Sequence, residues 1–352
     1  MGKKKVLIGD IARQLNVSIT TVSFVLNGKA QEKRISDDVA ARVLKLVDEL
    51  GYKPNQLAKN LREGKTRIIG LIVEDISNPF FATVARHIEE QAFQRGYKII
   101  YCSTDHDTAK TKELIAMFRD WHVDGYIITP PAGIEAEVQA LLHDKLPVVL
   151  FDRYLPSLPT SYVGVDNFGG MRAATEHLLA QGYQRIAYCT IASDQSQMAA
   201  RLGGYETVMT AHGRLPLVLR TAFPESPPDT IRQIGRFLTE QAADAVIFAT
   251  NYLGRHGLEA LAQLGRRIPH DLAVVAFDDH DLFRLYSPGI TALAQPVEDI
   301  ARELIHLLLT DLNTRGLVPR RTVELPVELL VRASTLPAAT VMTNGQEATQ
   351  PA

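Results

Sequence analysis

Apolar residues recur at helical spacing three times within the first fifty positions of the chain. The runs cover about residues 8–15, 19–26 and 37–50, and each places its apolar residues three or four positions apart, on one face of a helix. Ser18 and Ser36 stand immediately before the second and third runs, where a hydroxyl can cap the first turn. A three-residue turn separates the first two runs, so the pattern predicts a helix-turn-helix with a supporting third helix.

From Arg67 onward the pattern changes to apolar, strand-like runs that alternate with amphipathic helical stretches. Near-continuous apolar strands between helices are typical of a parallel α/β sheet. Eight runs fit two sheets better than one, with a crossing near residues 165–167, so we predict an all-α head and an α/β body of two parallel-sheet lobes. The eight runs are IIGLIV, KIIYCS, GYIIT, PVVLF, SYVGV, RIAYCT, AVIFAT and LAVVAF, and the helical stretches include residues 80–94, 108–119, 168–180 and 253–264.

Composition narrows the class of protein. The chain has 352 residues, of which 46% are hydrophobic and 22% are charged, which excludes a largely disordered chain. There is no apolar run of ~18 residues that would span a membrane, and Asp10 interrupts the start before a signal peptide could form. Cys102 and Cys189 are too few for a disulfide framework or a zinc cluster, so we expect a cytoplasmic protein without a metal.

Charge is distributed unevenly along the chain. Residues 1–65 hold 13 Lys and Arg against 7 Asp and Glu, whereas the remainder holds 25 against 33. A basic head on an acidic body favours contact between the head and a polyanion, although a solvated charge run would have the same balance. In a helix-turn-helix the second helix enters the major groove with its first residues toward the bases. Here those residues are Ile19, Thr20 and, one turn later, Phe24, with Thr21 and Ser23 expected at phosphates; a small helical bundle without nucleic acid is the alternative.

Polar side chains follow the predicted strands of the body. Because the carboxyl ends of parallel strands form the binding edge of such sheets, these side chains are expected to line a cleft between the lobes. Carboxylates, amides and an arginine beside an aromatic pair suit a polyhydroxylated ligand, whose hydroxyls they bridge and whose C–H face the rings cover. The residues concerned are the segment 75–81 with Phe80 and Phe81, then Asp152, Arg153, Asp166, Asn167, Asn251, Asp278 and Asp279; Phe81 could equally be core, and Asp166 or Asp279 could be helix caps.

Several motifs resemble the LacI/GalR family of bacterial transcriptional regulators. The likeness is carried by IGDIARQLNVSITTVSFVLNG and by ISDDVAARVLKLVDELGYKPNQLAKNLREGKTRIIGLI, and it extends to about Pro337. It implies a periplasmic-binding-protein-like body in an effector-controlled repressor. The implied domains are a head (1–52), a hinge (53–66), a body (67–337) and a disordered tail (338–352), with an N-lobe at about 67–165 and 296–322 and a C-lobe at about 167–294 and 323–337.

The resemblance also assigns residues to DNA. The loop over residues 28–35 is longer than in the lactose repressor and is similar to the fructose-repressor branch, with Lys29, Lys33 and Arg34 expected at phosphates; a solvated loop is the alternative. In the family, the hinge helices of two subunits pair in the minor groove, where a leucine that matches Leu61 wedges between base pairs. The predicted DNA contacts are Ser18, Ile19, Thr20, Thr21, Ser23, Phe24, Asn27, Lys33, Arg34, Asn55, Ala58, Lys59 and Leu61.

For the body, the resemblance implies a small-molecule effector, most often a sugar or sugar phosphate, and no cofactor. It also implies a homodimer on a palindromic operator, with Val84, Ile88 and Phe93 as candidate dimer contacts and core packing as their alternative. The predicted effector contacts are Phe80, Phe81, Asp152, Gln195, Gln197, Arg201, Phe223, Asn251, Asp278 and Gln295.

Two other classes of protein fit the sequence less well. A sugar-binding protein of the solute-binding type would share the body but would need an export signal and would lack the head. An enzyme would need a catalytic motif, and the chain contains no H-E-x-x-H, G-x-S-x-G, G-x-x-x-x-G-K or G-x-G-x-x-G. We therefore expect a DNA-binding regulator and not an enzyme.

Leu61→Ala tests the hinge interpretation. Removing the predicted wedge should weaken operator binding, because the bases would no longer be unstacked and the wrapped contacts that unstacking permits would be lost. Effector binding should stay intact. A fluorescence-polarisation titration of operator DNA measures the first and calorimetry the second. Normal operator affinity in this variant would show the hinge account to be wrong.

Overall fold

The structure is a computed structural model that describes residues 6–52, 65–222, 226–314 and 319–336. The chain divides into two compact units, residues 1–66 and 67–352. Some predictions fall outside the described residues: the hinge contacts Asn55, Ala58, Lys59 and Leu61, the effector contact Phe223, and the tail 338–352.

The first unit is a three-helix head, as the apolar spacing predicts. It consists of α1 (Ile8–Leu15), α2 (Ile19–Leu26) and α3 (Asp37–Glu49). Fully buried Ile11, Val22 and Val43 contribute one side chain from each helix to a common core. The Ser18 hydroxyl accepts the Thr21 N–H at 2.9 Å, and the Ser36 hydroxyl accepts the Val39 N–H at 3.4 Å, so both predicted caps satisfy otherwise unpaired donors of the first turn.

The second unit contains two six-stranded sheets. The N-lobe sheet is wholly parallel, and its four inner strands are buried because helices cover both faces. In spatial order it contains β11 (Thr322–Leu325), β5 (Ser161–Val165), β4 (Val148–Phe151), β3 (Gly125–Ile128), β1 (Ile68–Val73) and β2 (Lys98–Ser103).

The C-lobe sheet repeats this strand order. It is parallel except for its last strand, which pairs antiparallel with its neighbour. In spatial order it contains β12 (Glu328–Leu330), β10 (Thr291–Ala294), β9 (Ala273–Phe277), β8 (Ala245–Phe248), β6 (Ile186–Ile191) and β7 (Leu217–Thr221).

Helices cover both faces of each sheet. In the N-lobe, α4 and α12 pack on one face and α5 and α6 on the other; in the C-lobe, α9 and α10 pack opposite α7 and α8. Within the described residues, no helix is both long enough and apolar enough to cross a membrane. The helices are α4 (Pro79–Gln94), α5 (Thr108–Asp120), α6 (Glu135–His143), α7 (Asn167–Ala180), α8 (Ser196–Ala211), α9 (Pro227–Glu240), α10 (Asn251–Gln263), α11 (Asp281–Leu285) and α12 (Val297–Thr314).

The chain crosses between the lobes three times. Two crossings lie where the sequence predicts, after β5 and after β10. The third was predicted after residue 322, which is wrong: residues 322–325 form β11 and pair with β5 in the N-lobe, and the crossing follows at Pro326 and Val327. The sequence TVEL is a short edge strand in which exposed and half-buried residues alternate, so it lacks the continuous apolar run that marks the buried strands.

Two adjacent glycines of α8 offer a matched test of helix packing. A Cβ on Gly204 would lie 2.5 Å from the backbone oxygen of Phe168 in α7, whereas a Cβ on Gly203 would meet only ring carbons of Phe168 at 3.7 Å. Gly204→Ala should therefore force the helices apart and destabilise the body by roughly 1–3 kcal/mol.

Gly203→Ala should be neutral or slightly stabilising, since alanine favours a helix by roughly 0.5–1 kcal/mol over glycine. Thermal unfolding followed by circular dichroism compares the two variants. Equal melting temperatures would contradict the close approach of α7 and α8.

Candidate functional site

The first turn of α2 presents an exposed face on the head. Ile19 has 55% of its surface exposed, and Thr20 is exposed beside it. Ser18 and Thr21 are already bonded to each other, with 2.8 Å between their hydroxyl oxygens. Of the residues predicted for base contact, Ile19 and Thr20 are therefore the most accessible.

Other predicted DNA contacts have roles within the head itself. Phe24 is half-buried, and the Lys33 ammonium lies 5.6 Å from the centroid of its ring. Lys33 also pairs with Glu32 at 2.9 Å, which partly neutralises its charge. The Asn27 amide donates to the Ser23 carbonyl at 2.7 Å, and Arg34 is exposed at the end of the loop.

In the body, side chains from both lobes line one cleft at the carboxyl ends of the strands. Eight of the ten predicted effector contacts are in its lining, and Asn251 lies beside it through its bond to Asn78. The lining residues are Glu74, Asn78, Phe80, Phe81, Asp152, Ile191, Gln195, Gln197, Met198, Arg201, Thr250, Tyr252, Asp278 and Gln295.

Two aspartates occupy corresponding positions in the two lobes. Asp152 follows β4 and Asp278 follows β9, and each has a φ of 68°, in the left-handed region. Burial raises the pKa of Asp152 to about 6, against the attraction of the Arg153 and Arg201 charges. Burial likewise raises the pKa of Asp278, which Arg201 and a hydrogen bond from Gln295 counteract. In both carboxyls, neighbouring cations and donors therefore oppose the loss of charge that burial favours.

Arg201 is the rigid cation of the cleft. It projects from α8, only 2% of the residue is exposed, and its guanidinium carbon lies 3.5 Å from the centroid of the Phe277 ring. Its Nε donates to Asn167 Oδ1 and its Nη1 to the Ala249 carbonyl, both at 2.7 Å. Such fixed bonds orient the planar guanidinium toward the cleft.

Hydrogen bonds between polar side chains join the two lobes. Asn78 and Asn251 exchange two bonds, each 2.9 Å from Nδ2 to Oδ1. The Tyr252 hydroxyl donates to Asp75 at 3.0 Å, and Gln197 Nε2 donates to Asp152 at 3.3 Å. The space that remains in the cleft has a volume of only about 40 Å³, which is room for about three waters. The cleft is therefore nearly closed.

Two basic side chains, Arg153 and His106, contact the carboxylate of Glu74 at the edge of the cleft. The Arg153 guanidinium pairs with Glu74, and His106 Nε2 lies 2.7 Å from the other Glu74 oxygen. Burial opposes ionisation of Glu74, but the hydrogen bonds and charges of His106 and Arg153 outweigh it and lower the pKa of this carboxyl. The cleft lining and the groups behind it therefore hold three carboxylates, two guanidiniums and the His106 imidazole.

Aromatic rings form the apolar wall. Phe80 and Phe81, in the first turn of α4, have ring centroids 5.1 Å apart, and both lie about 6 Å from the Phe151 ring. Both belong to the N-lobe core and also line the cleft, so the two interpretations of Phe81 hold together. Asp166 caps α7 by accepting the Gly169 N–H at 2.7 Å, whereas Asp279 pairs with Arg332.

Sequence reasoning missed several lining residues. Glu74 and Thr250 follow β1 and β8 and stand one position before the polar residues that were selected, and Tyr252 follows Asn251. A search one residue to either side of the selected strand-end positions would have included them. Ile191 and Met198 carry no such signal, because apolar residues there are indistinguishable from core.

Comparison with known proteins decides the family. Residues 7–55 match the family of bacterial regulatory proteins named after lacI, residues 66–222 match the periplasmic binding proteins and sugar binding domain of the LacI family, and residues 175–335 match a periplasmic binding protein-like domain. The chain belongs to the LacI family of bacterial transcriptional regulators. The expected fold and DNA-binding class are thereby confirmed, while the narrower likeness to the fructose-repressor branch stays a prediction.

Individual relatives resemble the chain over nearly its whole length. The transcriptional regulator PtxS of Pseudomonas plecoglossicida is 33% identical, over 95% of this chain and 96% of that protein. The ribose operon repressor of Halalkalibacterium halodurans is 32% identical, over 93% of this chain and 96% of that protein. A LacI-family regulator from Enterococcus faecium with bound ribose is 27% identical, with a TM-score of 0.69 over 77% of this chain and 99% of that one.

Asp152→Asn tests the electrostatics of the cleft. Because burial raises the pKa of Asp152 to about 6 in the folded protein, against about 3.9 when unfolded, the charged carboxylate destabilises the fold at every pH above 6. This cost fades as the pH falls from 6 to 4, where the folded protein takes up the proton. Asparagine keeps the shape and tolerates the left-handed backbone, so the variant should be more stable at pH 7.5 by up to about 2–3 kcal/mol, and less so at pH 4.5.

Thermal unfolding at both pH values gives the comparison, and Asp120→Asn, at an exposed carboxyl, is the matched control without a pH-dependent gain. A loss of stability that is the same at both pH values would show that the Asp152 charge stabilises the fold instead.

Proposed function

We propose that this LacI-family regulator is a dimeric repressor whose affinity for a palindromic operator is set by a neutral monosaccharide in the interlobe cleft. The observation that carries the proposal is the meeting, in one buried space, of acceptors and donors from both lobes. Asp152 and Asp278 supply acceptors, and Arg201, Asn251 and Gln295 supply donors.

A polyhydroxylated ligand suits this mixture of groups. Each sugar hydroxyl both donates and accepts, so it can bridge a carboxylate and an amide or guanidinium. The rings of Phe80 and Phe81 offer an apolar surface for the C–H face of the sugar. Gln195 and Gln197, which line the same cleft, remain proposed contacts, as does Phe223, which lies outside the described residues.

The charge balance favours a neutral sugar over a sugar phosphate or sugar acid. Glu74, Asp152 and Asp278 oppose Arg153 and Arg201, and Arg153 is already engaged by Glu74. A ligand with its own negative charge would enter a cleft without excess positive charge, which is costly in a buried site. The ribose named for two relatives is consistent with such a neutral ligand.

The size of the cleft supports a small ligand that enters when the lobes separate. The bonds of Asn78 to Asn251 and of Tyr252 to Asp75 close the cleft, and a sugar would replace them. A ligand shifts the lobe arrangement only through its different affinity for the two states. We infer that this shift changes how the two hinge segments of a dimer, residues 53–66, meet the operator.

The dimer and the cytoplasmic location follow from the DNA-binding role. One head reads only a few base pairs, and two-fold related heads match a palindromic site. Val84, Ile88 and Phe93 of α4 were the candidate dimer contacts. Val84 and Ile88 are buried in the N-lobe core, whereas Phe93 has 74% of its surface exposed, which makes Phe93 the best candidate of the three.

Two variants separate the functions. Thr20→Ala should weaken operator binding severalfold and leave sugar binding unchanged, because Thr20 is exposed in the first turn of α2 in the head, whereas the proposed sugar site belongs to the body. Asp278→Asn should weaken sugar binding at least tenfold, the equivalent of one hydrogen bond to a charged group, and leave operator binding intact without sugar.

Operator sequences selected from a random duplex pool and a thermal-shift screen of neutral pentoses and hexoses supply the two ligands. Polarisation titrations then measure operator affinity with and without the sugar. Absence of any selected duplex, or of any effect of a bound sugar on operator affinity, would refute the proposed function.

A further inference from the structure

A charged groove lies on the outside of the N-lobe, away from the cleft. It has a volume of about 360 Å³ and is formed by the end of α4, the exposed side of α12 and the start of β11. We call it the arginine groove, and its lining residues are Arg95, Arg302, Glu303, His306, Arg321 and Val323.

Positive charge predominates in the arginine groove. Arg302 pairs with Asp299 at 2.6 Å, and its distance to Glu303 is 4.0 Å. Arg95 bonds only to the neutral side chain and carbonyl of Gln91. Among the described residues, no carboxylate lies within ion-pair distance of Arg321. Glu303 is therefore the single acidic side chain in a lining that holds three guanidiniums and an imidazole.

The three arginines of this groove come from three separate elements of the fold. Packing inside the protein does not require them to lie together. Like charges held together raise the free energy of the folded state unless an anion joins them. The planar fork of arginine binds phosphate oxygens through paired, charge-assisted hydrogen bonds. We propose that the arginine groove binds the phosphoryl group of a small phosphomonoester, as a second ligand site separate from the cleft.

The charges favour a compact dianion over a nucleic acid backbone. A protein that binds a DNA strand places its cations in a line along the strand, one for each phosphate contacted. Here the cations surround one concavity instead. A phosphomonoester carries close to two negative charges at neutral pH, and the three guanidiniums exceed Glu303 in the lining and Asp299 beside Arg302 by one positive charge.

The groove is connected to the cleft through α12. Gln295 donates to Asp278 at 2.5 Å in the cleft, and α12 begins two residues later at Val297 and carries Arg302 in its second turn. A ligand that pulls on Arg302 can therefore bias the element that positions Gln295. Any such coupling is reciprocal, so a sugar in the cleft would change phosphomonoester affinity by the same factor.

Calorimetric titration of the full-length protein with glucose 6-phosphate, inorganic phosphate and glucose tests the proposal. The test variant is Arg302→Gln with Arg321→Gln. The matched control is Arg232→Gln with Arg236→Gln, which removes two exposed arginine charges from α9 in the other lobe. Asp278→Asn serves to disable the cleft independently.

We expect the wild type, the control and Asp278→Asn to bind glucose 6-phosphate alike, and the groove variant to bind it at least tenfold more weakly. The groove variant should melt at or above the wild-type temperature, because fewer like charges are held together, and it should keep its affinity for neutral sugar. Inorganic phosphate that competes with glucose 6-phosphate would identify the phosphoryl group as the recognised part.

Three outcomes would overturn the proposal. They are no binding of glucose 6-phosphate to the wild type, an equal loss in the control variant, or a loss in Asp278→Asn that places the ester in the cleft. A groove variant that loses only operator affinity would assign these arginines to DNA and likewise reject the phosphomonoester. Because neutral-sugar binding is read separately, each of these results leaves the proposed function of the cleft standing.

Discussion

The cleft depends on the placement of one immobilised cation near two buried carboxylates. Arg201 is fixed by Asn167, the Ala249 carbonyl and the Phe277 ring, and its charge favours the ionised forms of both Asp152 and Asp278. Without it, burial would drive both carboxyls toward their neutral forms, and the acceptors that a sugar needs would be lost. A buried arrangement of this kind contributes little net stability, so its value lies in presenting charged groups in one fixed geometry.

The duplication of the sheet order explains why these groups come together. β4 and β9 occupy the same position in their sheets, and each is followed by an aspartate with a left-handed backbone. Parallel strands place their carboxyl ends along one edge, and the two edges face each other across the cleft. In the proposed complex, a ligand between them would meet two equivalent carboxylates, one from each lobe, and bonding to both would tie the lobes together.

Much of this organisation could be predicted from the sequence. All eight continuous apolar runs are strands, and the serine caps and apolar spacing define the head helices to within one residue. β7, β10, β11 and β12 were missed because they are short or lie at sheet edges, where alternation and polar residues weaken the apolar signal. In the cleft, strand-end positions identified Asp152 and Asp278 but missed Glu74, whereas pairings such as Asn78 with Asn251 depend on how the lobes meet, which no local pattern encodes.

That pairing links recognition to conformation. Asn78 caps α4 by accepting the Phe80 N–H at 2.9 Å while its amide exchanges bonds with Asn251 at the start of α10. Both amides are buried, so neither can be left without a partner at low cost. A sugar that takes over these bonds removes the direct tie between the lobes and substitutes its own, longer bridge. The lobe spacing then depends on the dimensions of the ligand, which gives the regulator a physical means to distinguish the occupied cleft from the empty one.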